Sequence, residues 1–103
     1  MDGDSFSIKT ADYRGSTSVS ICDQELIGKT VTDGNLQVHI SQEFFFGEIV
    51  GRNEALHLIK SCSIINLAGE RAVSLAIENK MGAREAIREI EGVPFLMIYK
   101  FTR

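Results

Sequence analysis

Residues 66–79, NLAGERAVSLAIEN, constrain what this chain can fold into more than any other stretch. Ala68, Gly69, Ala72, Val73, Leu75, Ala76 and Ile77 fall on one broad face when the sequence is wound at about 100° per residue. Glu70, Arg71, Ser74 and Glu78 gather on the opposite side. The pattern predicts a helix over 66–79, with Asn66 capping its first free N–H groups. Lys80 suits the negative end of the dipole, and Gly82 can take the left-handed conformation that closes the helix. So wide an apolar face, with alanine and glycine in its middle, predicts a helix wedged between other elements and closely approached by a neighbouring backbone.

The rest of the chain supplies those neighbours. Residues 5–9 alternate, Phe6 and Ile8 against Ser5, Ser7 and Lys9, and residues 17–22 alternate likewise. Both read as half-buried strands, joined by a loop of several residues, TADYRGS. In CDQELIGK, residues 22–29, Asp23 suits the start of a single helical turn and Gly28 its end. Strands are expected at 29–32 and 36–40 around an Asp33-Gly34 turn, with Leu36, Val38 and Ile40 inward. Residues 52–62 form an amphipathic helix whose inner face is Ala55, Leu56, Leu58, Ile59 and Cys62. The short link 63–65 should set this helix beside the one at 66–79. A strand at 86–90 and a last strand at 95–101, opened by Pro94, complete the pattern. Apolar residues on both faces of the last strand suggest a central strand, or one covered on both sides.

Strands, two helices, then strands again is an α+β order. The expectation is one domain over residues 1–103, built as two layers. A mostly antiparallel sheet of four or five strands carries two packed helices on one face. At 103 residues and 44% hydrophobic content the chain can close a modest core without staples.

Charge and apolar runs exclude some classes of partner. No apolar run approaches the eighteen or so residues of a membrane span, and the acidic start, MDGDSFSIK, has the wrong chemistry for a signal peptide. Cys22 and Cys62 are too few for a disulfide scaffold, which points to a reducing cytoplasm. Residues 1–51 carry three Lys/Arg against eight Asp/Glu, a balance of −5, whereas residues 52–103 carry eight against six, +2. The total of −3 argues against non-specific coating of nucleic acid by charge alone. A small basic patch in the second half, Arg84 and Arg88 among it, stays open; a solvated surface is the ordinary meaning of such scatter.

Candidate chemistry is sparse. IGKT imitates the end of a phosphate-binding loop, but Asp23 stands where the first glycine is required and no long helix follows. Cys22, His39, His57 and Cys62 are metal-ligand types without the close pairs of structural zinc sites, so no metal or other cofactor is expected. Glu43, Glu48, Glu70 and Glu78 could serve as acids or bases, although carboxylates on a polar helix face are ordinary. The start of the 66–79 helix offers a more specific site: Asn66, Gly69 and Arg71 could receive an anion. Asp23 and Glu25 of CDQELIGK could reach Arg71 if the two segments meet, with Lys29 and Glu70 at the margins. Three consecutive aromatics, Phe44, Phe45 and Phe46, cannot all point to one side. Either a second core layer covers them or they present an interaction surface.

CDQELIGK, EFFFGEIV, NLAGERAVSLAIE and GVP, in this order and spacing, resemble the small archaeal family catalogued as domain of unknown function four-two-four. The resemblance spans residues 5–101 and implies a cytoplasmic protein of archaeal type. It brings no activity, cofactor or catalytic residue. Two functions remain in play. One is a non-catalytic binding module for protein or ribonucleoprotein partners, motivated by Phe44–Phe46. The other is a small enzyme or anion-binding protein with its site at Asn66, Gly69, Glu70 and Arg71.

Overall fold

The computed structural model describes residues 5–100. The chain opens with a hairpin of two eight-residue strands, β1 (Phe6–Tyr13) and β2 (Ser16–Asp23), followed by a 3-10 turn at Gln24–Leu26. A second hairpin, β3 (Thr30–Asp33) and β4 (Leu36–His39), leads into the single-turn helix α1 (Gln42–Phe45). Then come β5 (Glu48–Val50), α2 (Arg52–Ser61), β6 (Ile64–Ala68) and α3 (Glu70–Glu78). A 3-10 turn at Arg84–Ala86 precedes β7 (Arg88–Ile90) and β8 (Val93–Tyr99).

The fold is α+β, but its sheet is larger and less uniform than the pattern of the sequence suggests. Six strands lie in the order β5-β1-β2-β6-β8-β7, and β3-β4 forms a separate two-stranded sheet. Most pairs are antiparallel, but β2 and β6 run parallel at the centre, Ser20 opposite Asn66 and Cys22 opposite Ala68. The sheet is therefore mixed and six-stranded where four or five strands were expected, though still mostly antiparallel. The difference comes from residues 64–68. IINLA is a short apolar run, which periodicity cannot assign to strand or helix. It pairs on both sides and buries Ile65, Leu67 and Ala68.

Asn66 accordingly lies on a strand and caps nothing. The helix starts four residues later, after Gly69, whose φ of 109° is open to glycine and strained for other residues. The first hairpin is also tighter than expected. Arg14 and Gly15, both at positive φ, turn the chain in two residues, and such turns match the twist of the flanking strands. Thr10–Asp12 therefore stays in the ladder.

One core lies between the sheet and the two longer helices. Phe6, Val19, Ile21, Ile65 and Leu67 meet Ala55 and Ile59 of α2 and Ala72, Leu75 and Ala76 of α3, all at most 2% exposed. Three alanines at these positions let the helices approach closely. The other sheet face is only partly covered, by α1 and the β3-β4 hairpin. There Phe45 and Ile40 bury Cys22 and Ala68. Leu36, expected inward, is exposed at the tip of that hairpin. β8 is an interior strand, paired with β6 and β7, which is the first of its two expected placements; Leu96 and Ile98 face the helices, whereas Met97 and Tyr99 stand exposed, so it is not covered on both faces. Phe101, placed by periodicity on the same strand, lies outside the described residues.

Candidate functional site

At the carboxyl ends of the parallel pair, CDQELIGK meets the start of α3. Asp23 ends β2 and is 4% exposed. Its carboxylate accepts the Ala72 N–H at 2.8 Å and the Arg71 N–H at 3.0 Å. It thus satisfies two of the orphan donors of α3, a helix 48 residues further along the chain, and makes no cap for its own 3-10 turn. Gly69 is required here twice over: besides its φ, a Cβ would stand 2.5 Å from the Asp23 carboxyl carbon. The Arg71 guanidinium pairs with Glu25, lies 3.8 Å from Asp23, donates to the Ser5 carbonyl at 3.3 Å, and sits 5.5 Å from the Phe6 ring centre.

The electrostatics of this corner follow from burial. Desolvation raises the Asp23 carboxyl above its ordinary value, against the Arg71 and Ala72 N–H groups and the Arg71 charge that lower it. Cys22, next in sequence, is pushed up to about 12 by burial and then by Asp23 and Glu25. It stays a thiol at neutral pH and is no nucleophile. A cleft of about 180 Å³ borders Asp23, Glu25, Gly69, Glu70 and Pro94. Three carboxylates border it; two of them, Asp23 and Glu25, are beside Arg71, and Asp23 takes two of the helix donors.

Two of the residues grouped with this corner by sequence are elsewhere. Lys29 is exposed and leads into β3, its backbone bonded to Leu26 and Ile40. Asn66 belongs to the other region. Among the described residues no group of three or more His, Cys, Asp or Glu side chains is placed to hold a metal ion.

The second region is the uncovered part of the sheet. Residues paired across strands share a face, and the registers lay out three rows there. Ser7, Cys22, Ala68 and Phe95 form the row beneath α1. Lys9, Ser20, Asn66 and Met97 form the next, and Ala11, Ser18, Ile64 and Tyr99 the last. α1 is anchored over the first row: Ser41 accepts the Phe44 N–H, Ser7 donates to the Phe45 carbonyl at 2.9 Å, and Gly47 N–H donates to Ile8 at 2.7 Å.

This anchoring sorts the three aromatics. Phe45 is buried, and Phe44 packs edge-on to it with ring centres 5.0 Å apart. Phe44 and Phe46 remain 53% and 43% exposed. The three rings thus split between core and surface.

Beside Phe44 runs a groove of about 460 Å³, walled by Val38 and His39 on the hairpin side and by Phe95 and Met97 on the sheet side. A second hollow of about 250 Å³ over Lys9, Ser18 and Ser20 continues it, sharing Phe44 and Asn66. Among the described residues the Asn66 side chain has no hydrogen-bond partner, so its amide stands open at the junction of the two hollows. Reasoning from sequence missed Met97, Tyr99 and the place of Asn66. β8 is apolar on both faces, so its sequence does not say which of them a helix covers.

Comparison with known proteins agrees with the fold. The model of the family described as "Protein of unknown function (DUF424)" matches residues 11–101. A crystal structure of an uncharacterized conserved protein from Methanopyrus kandleri superposes with a TM-score of 0.82 at 21% identity, covering 96% of this chain and 94% of that one. No curated protein matches the sequence. No helix among the described residues is long and apolar enough to cross a membrane. The chain belongs to the DUF424 family.

Proposed function

We propose that this DUF424 protein is a non-catalytic binding module of the cytoplasm whose partner, a protein or ribonucleoprotein, seats on the uncovered part of the sheet. One observation carries the reading: Phe44 and Met97, each more than half exposed, line a largely apolar groove into whose floor Asn66 brings an amide, and Tyr99 stands exposed on the same sheet face. Large apolar side chains gathered beside a concave surface mark interaction sites, whereas scattered ones do not. The alternative, an anion or substrate site at the start of α3, has less support. Asp23 already occupies the helix donors, and Cys22 remains protonated.

The test is affinity capture from a native extract with the parent protein, Phe44→Ser, Met97→Ser and Arg71→Lys, identifying bound proteins and RNA. The two sheet-face variants should melt like the parent and lose the captured partner, and Arg71→Lys should keep it. Capture unchanged by both face variants and abolished by Arg71→Lys would reverse the assignment.

A further inference from the structure

We infer that the groove takes a short single-stranded RNA segment, an inference that rests on the binding-module reading and names the chemistry of its partner. The argument starts from the order of groups across the sheet. Lys9 on β1 lies at one end of the continuous groove and Arg88 on β7 at the other. With β2, β6 and β8 between them, four strand spacings separate the two, about 19 Å. Among the described residues neither cation has an ion-pair partner. Two cations without ion-pair partners at the ends of one groove, against the single described carboxylate along it, that of Glu43, complement an extended ligand with anions at intervals.

The middle of the groove has different chemistry. Phe44 is exposed above it, Asn66 opens from the floor, and Met97 flanks the amide. A phenyl ring is a sequence-tolerant surface for stacking an unpaired base. An amide presents two donors and an acceptor, the complement of a base edge. Proteins that bind single-stranded nucleic acid combine such elements: exposed aromatic rings on which bases stack and cations for the phosphates. An apolar peptide would use Phe44 and Met97, and its backbone could pair the Asn66 amide, but it would bring no anions to Lys9 and Arg88. Glu43 borders the hollow near Lys9 and opposes a polyanion. The site should therefore bind weakly and depend on base contacts, in keeping with a chain whose overall charge cannot coat nucleic acid.

Fluorescence anisotropy of labelled RNA hexamers of each base, with the full chain between about 50 and 200 mM salt, tests this. At least one hexamer should bind, with a salt slope of about −1.4 for two phosphate contacts. Phe44→Ser and Asn66→Ser should each weaken binding about tenfold, Glu43→Gln should strengthen it, and Arg71→Lys should leave it unchanged. Phe44 and Glu43 are exposed, so these variants test the site even if Asn66→Ser perturbs the strand. Absence of binding by all hexamers, or binding indifferent to Phe44→Ser and Glu43→Gln, overturns the inference. If no hexamer binds while the face variants still lose a captured protein from nuclease-treated extract, the groove belongs to a peptide. In that case only the RNA assignment fails.

Discussion

The two faces of the central sheet are made by the same strands and differ in nearly every other respect. Toward α2 and α3 the strands present Val19, Ile21, Ile65, Leu67, Leu96 and Ile98, and none is more than 9% exposed. Away from them they present Lys9, Ser18, Ser20, Asn66, Met97 and Tyr99, and α1 with its hairpin covers only the row above. Alternation along a strand lets one backbone serve two purposes. Here the first face closes the core, and the second leaves small and polar residues between exposed large ones. Met97 and Tyr99 stand there at 51% and 59% exposure.

The largest expected effect lies on the closed face. Ile59→Ala empties a fully buried position and should cost about 2–5 kcal/mol in chemical denaturation, whereas Met97→Ser should stay within about 0.5 kcal/mol. Equal losses would erase the distinction between the faces. Overpacking is a second probe of the closed face: Ala72→Leu should cost about 1–3 kcal/mol, because Ala72 is fully buried in the core between α3 and the sheet. A variant that melts like the parent would contradict the close approach of the helices.

Much of this architecture was legible in residues 5–9, 17–22 and 52–62, where alternation or helical spacing agrees with what the chain does. The apolar stripe of α3 was equally clear from Ala72 to Ile77. What failed was its beginning, because Ala68 and Gly69 extend the small, apolar stripe back into the strand, and only Gly69 separates strand from helix. The paired segments of the corner, Asp23 and Glu25 against Arg71, could be placed together from charge and capping chemistry. The direction of the cap could not, because it joins residues 48 apart. The second face was hidden for a different reason. Which side of an alternating strand is covered depends on where the helices land, a property of the whole fold.

The Asp23 corner offers smaller effects that sharpen the same contrast, because it holds α3 onto the closed face. Asp23→Ala removes acceptors from two backbone donors and should cost about 1–3 kcal/mol. Its pH dependence has a definite sign. Burial holds the folded carboxyl above its unfolded value, so its contribution is full below the unfolded range and is lost as pH rises through the folded one. The margin of the parent over Asp23→Ala should therefore widen between about pH 7 and about pH 4, measured by denaturation at each pH. A margin that narrows on acidification would contradict this.

The smallest signal is chemical. With Cys22 raised to about 12 and Cys62 also raised by burial, native protein should be alkylated by iodoacetamide only at the rate at which it unfolds. Fast labelling of Cys22 in the native state would mean that α1 does not seal the first row.

Backbone amide shifts report the central claim most directly. Titrating labelled protein with the partner captured from native extract should move Ser20, Asn66, Met97 and Tyr99 together with Phe44, and leave Asp23–Leu26 and Gly69–Arg71 in place. Shifts confined to those two segments, with the sheet rows unmoved, would contradict the assignment of binding to the second face.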